Sequence, residues 1–241
     1  MNEHKLSDRL TAVASYIDHV TTVADIGSDH AYLPSYLCLN HPSMRAIAGE
    51  VSDGPLQAAK TQVEELELGN RIDVRKGSGL AVIAPGEVEG ITIAGMGGAL
   101  ITSILEDGKS KLKGVSRLVL QPNNAARAIR MWLLENNWSL IKEDILIENE
   151  KFYEILVAEP GHDSERYDQE REKKLLFGPH LMQKSNEAFL EKWHGEMQNW
   201  QRVLSALKQG KEQESMERRK QQIEKKIQLV QEVIGDGNNW N

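Results

Sequence analysis

At 241 residues, with 40% hydrophobic and 27% charged side chains, the chain can form one medium globular domain plus an appendage. Its single cysteine, Cys38, excludes an internal disulfide and fits a reducing compartment, and no run nears the roughly 20 apolar residues that span a bilayer. The net charge of −7 excludes a broadly basic nucleic-acid-binding domain, so any RNA contact must rest on local basic clusters.

The opening Met1-Asn2-Glu3-His4-Lys5 lacks the apolar stretch of a signal peptide, so a cytoplasmic location is expected. Leu6, Leu10, Val13 and Ile17 fall at helical spacing and predict a first helix. Thr21–Ile26 reads as a buried strand, Pro34–Leu39 as helix, Arg45–Glu50 as a second strand, and Pro55–Leu68 as a helix stopped by Gly69-Asn70. Arg71–Arg75 is a third strand, Gly90–Ala94 a fourth, Leu100–Leu105 a helix, and Ser116–Leu120 a fifth strand. Such alternation predicts a parallel sheet with helices on both faces. After a helix over Ala125–Asn136, the extended runs Trp138–Ile147 and Phe152–Ala158 are separated only by Glu148-Asn149-Glu150-Lys151. That link is too short for a parallel crossover and predicts an antiparallel hairpin. The expected fold is α/β and Rossmann-like, a mostly parallel seven-stranded sheet with one antiparallel strand. Class I methyltransferases have this arrangement, whereas dehydrogenase sheets usually stay parallel throughout.

Pro160 to Ser164 reads as a boundary, dividing the chain into domains 1–160 and 161–241. The first carries 15 basic and 22 acidic side chains, the second 14 of each. In the second, Leu190, Trp193, Met197, Trp200, Leu204 and Leu207 form a heptad stripe, continued by Ile223, Ile227, Val230 and Ile234. With Gly210 permitting a reversal, the expectation is a coiled-coil-like helical hairpin whose tryptophans serve as seam.

Four segments fall at predicted carboxyl ends of strands, where open α/β sheets bind ligands. In Asp25-Ile26-Gly27-Ser28-Asp29-His30, Gly27 permits close backbone approach, but the further glycines of a dinucleotide fingerprint are missing. Asp25 and Asp29 would repel a pyrophosphate and favour a cationic, phosphate-free nucleoside such as S-adenosylmethionine (SAM). Glu50 is placed to accept ribose hydroxyls, or is a solvated strand-end carboxylate; Val51 would lie beside the adenine. Gly77-Ser78 would approach the adenine edge, or is a tight turn. The glycine-rich Gly95-Met96-Gly97-Gly98 is expected as a loop lining the methionine end of the cofactor. In Gln121-Pro122-Asn123-Asn124, proline fixes the backbone and the flanking amides of Gln121 and Asn123 can read donor and acceptor positions on a base, or Asn123 only caps the following helix.

The ten residues Asp25 to Pro34, the segments Ala94 to Gly98 and Leu120 to Asn123, and the helical tail together resemble the bacterial TrmK family. That resemblance implies a SAM-dependent tRNA (adenine-22, N1)-methyltransferase with Asp25, Gly27, Glu50 and Gly95 to Gly97 contacting SAM. Asp29 is the candidate for polar positioning or proton acceptance, followed by His30, Tyr32 and Asn123; for His30, loop packing is the stronger reading. The chain lacks the Asn-Pro-Pro-aromatic sequence that many base-amine methyltransferases carry after strand four. The tail would hold tRNA through Arg218-Arg219-Lys220 and Lys225-Lys226, helped by Lys109, Lys111, Lys113 and Arg117, unless these are only solvated faces. The tail is also a candidate for self-association. No metal or membrane partner is expected. Alternatives are a methyltransferase for another RNA, a protein or a small molecule, an NAD-dependent oxidoreductase, and a non-catalytic scaffold.

Overall fold

The computed structural model describes residues 5–208 and 214–235. The chain divides into two compact units, Met1–Gly178 and Pro179–Asn241. The first unit contains β1 (Thr22–Ile26), β2 (Arg45–Glu50), β3 (Ile72–Lys76), β4 (Gly90–Gly97), β5 (Arg117–Asn124), β6 (Trp138–Glu148) and β7 (Lys151–Pro160). Its helices are α1 (Asp8–Ser15), α2 (Tyr32–Asn40), α3 (Asp53–Glu65), α4 (Gly98–Asp107), α5 (Ala126–Glu135) and α6 (Arg171–Phe177). Between β3 and β4 the described chain makes only a 3-10 turn over Gly79–Val82.

The seven strands form one sheet in the order β3-β2-β1-β4-β5-β7-β6. Every pairing from β3 to β5 is parallel, and β7 runs antiparallel to both β5 and β6. The hairpin is therefore the source of the single reversed strand. Strand alternation sorts side chains to two cores. On β5, Leu118 and Leu120 join Ile101 and Leu105 of α4 and Ile129 and Leu133 of α5. Val119 points the other way, to a cluster with Leu10 and Val13 of α1, Leu33 and Leu37 of α2, and Val63 of α3. The order reverses between β1 and β4, which opens a crevice at the carboxyl ends of the strands.

Three expectations change. Gly95 to Gly97 is not a free loop: β4 continues to Gly97, with irregular pairing to β5 around Met96. Gln121 to Asn124 likewise belongs to β5. Third, the compact units part after Gly178, later than residue 160. The intervening segment buries Tyr167, Leu175 and Phe177 at 0–2% exposure. It is also tied down by Arg130, whose Nη1 donates to the carbonyls of Leu175 (3.2 Å) and Leu176 (3.1 Å). Arg130 is wholly buried, and its Nε donates to Glu143 at 2.6 Å while Nη2 donates to Glu154.

The second unit contains α7 (Pro179–Lys184), α8 (Glu187–Lys208) and α9 (Glu214–Ile234). The long helices α8 and α9 pack on one another, burying Trp193 and Met197 with Ile223, Val230 and Ile234. The expected reversal at Gly210 lies outside the described residues. No helix among the described residues is long and apolar enough to cross a membrane.

Candidate functional site

The turn after β1 is strained and tied down at several points. Gly27 (φ +72°) donates its N–H to Gly49 O at 2.9 Å, and a Cβ there would fall 2.2 Å from the Met96 methyl carbon. Asp29 (φ 39°), His30 (66°) and Ala31 (54°) follow in left-handed conformations, each costing on the order of 1–2 kcal/mol. The cost is offset locally. The Asp29 N–H donates to Glu50 Oε1 at 2.5 Å, the rings of His30 and Tyr32 stack at 5.4 Å and 13°, and Ala31 O accepts the Ser35 N–H in the first turn of α2.

Asp25 lies beneath this turn, 4% exposed. Its Oδ1 accepts from the Thr92 hydroxyl (2.6 Å) and its Oδ2 from the Ser28 hydroxyl (2.7 Å). Burial pushes its pKa up, opposed by those two hydroxyls and by Arg9, and reinforced by Glu50. Ser28 is buried too, so its hydroxyl positions Asp25 rather than offering itself to a ligand. Glu50 is 6% exposed, whereas Val51 beside it presents an apolar surface at 62% exposure.

A second cluster is built on the bulged end of β4. The Gly95 N–H donates to Gln121 Oε1 at 3.0 Å, and Asn123 Nδ2 donates to Gly95 O at 2.7 Å. Gly95 is thus held on both sides of its peptide, with φ at +80°. Asn123 is not a helix cap: the residue before α5 is Ala125, which makes no side-chain capping bond. A Cβ on Gly97 would approach Asn124 Oδ1 at 3.2 Å. Met96, reaching Gly27, links the two clusters.

Asp25, Gly27, Ser28, Asp29 and Glu50 thus form one connected group, and Gly95, Gln121 and Asn123 form another, with Gly97 beside Asn124 at its end. Gly77 joins only by donating its N–H to Glu50 O at 2.8 Å, and a Cβ on it would meet Val82 Cγ1 at 2.8 Å. Packing therefore explains this glycine without a ligand. Ser78 is exposed and makes no side-chain capping bond. Arg9 and Thr92 were not singled out in the sequence, and Gln121 only as one of the amides that could read a base. Thr92 reads as an ordinary strand residue and Arg9 as the solvated face of α1; only the fold brings them to Asp25 and Gln121.

Lys109, Lys111, Lys113 and Arg117 precede or begin β5 and so lie at the amino-terminal sheet edge, away from this crevice. Lys111 donates to Ile83 O at 2.9 Å, and Arg117 pairs with Glu159. On α9, Arg218, Arg219, Lys225 and Lys226 are exposed, and Lys226 lies over the Trp200 ring at 5.3 Å.

The crevice fits a cationic nucleoside on the chemistry of its lining, the carboxylates of Asp25, Asp29 and Glu50 at the strand ends. A family model described as "TrmK: tRNA (adenine(22)-N(1))-methyltransferase" matches residues 23–232. The chain belongs to the TrmK family. A TrmK-family relative, the tRNA (adenine(22)-N(1))-methyltransferase of Bacillus subtilis, is 49% identical over 98% of this chain and 100% of its own. The crystal structure of the B. subtilis TrmK superposes with a TM-score of 0.91 at 48% identity, covering 96% of this chain and 99% of that one. M. capricolum TrmK in complex with S-adenosyl-homocysteine superposes with a TM-score of 0.81 at 26% identity, covering 96% and 98%.

Proposed function

We infer that this TrmK-family chain transfers a methyl group from SAM to N1 of adenine-22 in tRNA. The end-to-end match to the B. subtilis enzyme of that activity carries the reading. Bound at the crevice, SAM supplies an electrophilic methyl group.

The chain's own residues do the rest. Glu50 accepts from the ribose hydroxyls, while Val51 and the Gly77-Ser78 turn border the adenine of the cofactor. Asp25 sets a negative charge toward the methionyl ammonium, held in place by Ser28 and Thr92. Gly95, Met96 and Gly97 line the passage to the target base. N1 lies on the Watson–Crick edge, so the target adenine must leave any stack or pair before it can enter. The stacked His30 and Tyr32 offer it a flat surface. Asn123 has its amide nitrogen committed to Gly95 O, which leaves Oδ1 as an acceptor for the amino group of adenine. Asp29 is exposed at the rim, where it can accept the proton that the cationic product loses. Alignment and exclusion of water supply the acceleration.

The helical tail, with the basic clusters of α9, holds tRNA, and the same helices are the candidate for self-association. The natural setting is the cytoplasm, and no metal takes part. Incubation with labelled SAM and a choice of acceptors tests the reading. Label is expected in unmodified tRNA and not in protein or small-molecule acceptors, and titration with NAD should give no binding. Label on a protein acceptor alone would overturn it.

A further inference from the structure

Beyond Asn123 and Asn124 the carboxyl edge of the sheet runs on to the tip of the β6–β7 hairpin, where Ile147 pairs with Phe152 and Glu148 with Lys151. By strand alternation Phe152 shares a sheet face with Glu154 and Leu156, the face packed against α5. Arg130 of α5 donates to Glu154. Arg127 stands about one helical turn nearer the carboxyl edge than Arg130, and Phe152 stands two residues nearer it than Glu154. The register therefore brings Arg127, Phe152 and Ile147 to one corner. Ile147 is 39% exposed, Phe152 is half-buried, and Arg127 and Lys151 are exposed. No side-chain hydrogen bond or ion pair among the described residues engages either cation. Of the carboxylates at the turn, Glu148 accepts the Arg9 N–H, and Glu150 is exposed.

A base that leaves its stack uncovers the face of its neighbour. That neighbour is stabilised by an aromatic or apolar surface, and its phosphates by cations. β7 lies two strands from β4, roughly 10 Å at the usual strand spacing, so the hairpin tip can meet a nucleotide adjoining one bound at Gly95 and Gly97. We propose that this corner binds the nucleotide next to the target adenine, with Phe152 stacked on its base and Arg127 and Lys151 on its phosphates. A second copy of the chain fits less well, because a symmetric contact would set these cations against their own kind. The inference rests on the tRNA reading above and adds an RNA contact separate from the basic clusters of α9.

Filter binding of unmodified tRNA to the full chain at several salt concentrations, beside calorimetric titration with SAM, tests it. A wild-type chain that binds no tRNA would sink the tRNA reading itself. Given binding, Phe152→Ser should raise the tRNA Kd about fivefold to about a hundredfold, the range one stacked base covers. The double variant Arg127→Gln, Lys151→Gln should flatten the slope of log K against log salt by about one to two. Both are expected to keep SAM affinity within about twofold of wild type, which also reports folding. Should Phe152→Ser lose SAM binding, the two exposed cations decide the matter alone. A slope that changes by less than about one in the double variant overturns the proposal, as does a shift of less than about fivefold in a folded Phe152→Ser. Unchanged tRNA affinity with altered sedimentation of Phe152→Ser would give the corner to self-association instead.

Discussion

Asp25 is a carboxyl group held where the fold disfavours a charge. Its pKa is raised above the ordinary 3.8, chiefly by burial. A carboxyl raised in the folded state stays protonated where the unfolded chain has already ionised, so folding becomes less favourable as pH climbs above that value. Asp25→Asn is therefore expected to raise Tm at neutral pH, by about 2–4 °C for each kcal/mol relieved. The gain should fade as pH falls toward the unfolded carboxyl range; thermal melts across the acid and neutral range check it. The same substitution should weaken SAM binding, since stability gained at a strained site is commonly lost from function. Gly27→Ala is expected to do the opposite of stabilising. It forces a side chain to φ +72° and into the Met96 methyl, so both Tm and SAM affinity should fall, as melting and titration will report. Asp25, Gly27 and Glu50 were legible in the sequence because each sits where a predicted strand ends. Arg9 was not, because its partner Gln121 is distant in the chain and nothing local distinguishes it from a solvated helix arginine.

The strands and the β6–β7 hairpin could be read from alternation and from the short Glu148–Lys151 link. The extensions of β4 and β5 could not. Gly95, Gly97 and Pro122 read as breakers, yet the Gly95 peptide is pinned from both sides by side chains of β5. Distant side-chain-to-backbone hydrogen bonds thus outweighed local propensity. The same holds where α5, β6 and β7 meet at Arg130, one buried cation between Glu143 and Glu154. Arg130→Met removes the cation and leaves two buried carboxylates. The expected loss is about 3–5 kcal/mol in urea unfolding. Gly178 (φ +91°) adjoins this cluster, and a Cβ on it would lie 2.5 Å from Glu143 Oε1, so Gly178→Ala should destabilise in the same assay.

For the molecule as a whole, the shift from strands to helices after residue 160 was visible in composition, but the end of the first compact unit was not. Residues 161–178 are polar enough to read as tail; what ties them to the sheet is Arg130 and the burial of Tyr167, Leu175 and Phe177. A chain ended after Gly178 is expected to fold, bind SAM and lose most methyl transfer to tRNA. One ended after Pro160 is expected to aggregate, which gel filtration will distinguish. The assigned activity is specific to a single nucleotide, so the most direct check is to map the product. Unmodified tRNA incubated with SAM and the intact chain should acquire a methyl group on N1 of adenine-22, read as a primer-extension stop there, and tRNA with guanine at that position should acquire none. Methylation at another nucleotide, or undiminished methylation of the guanine-bearing tRNA, would contradict the assignment.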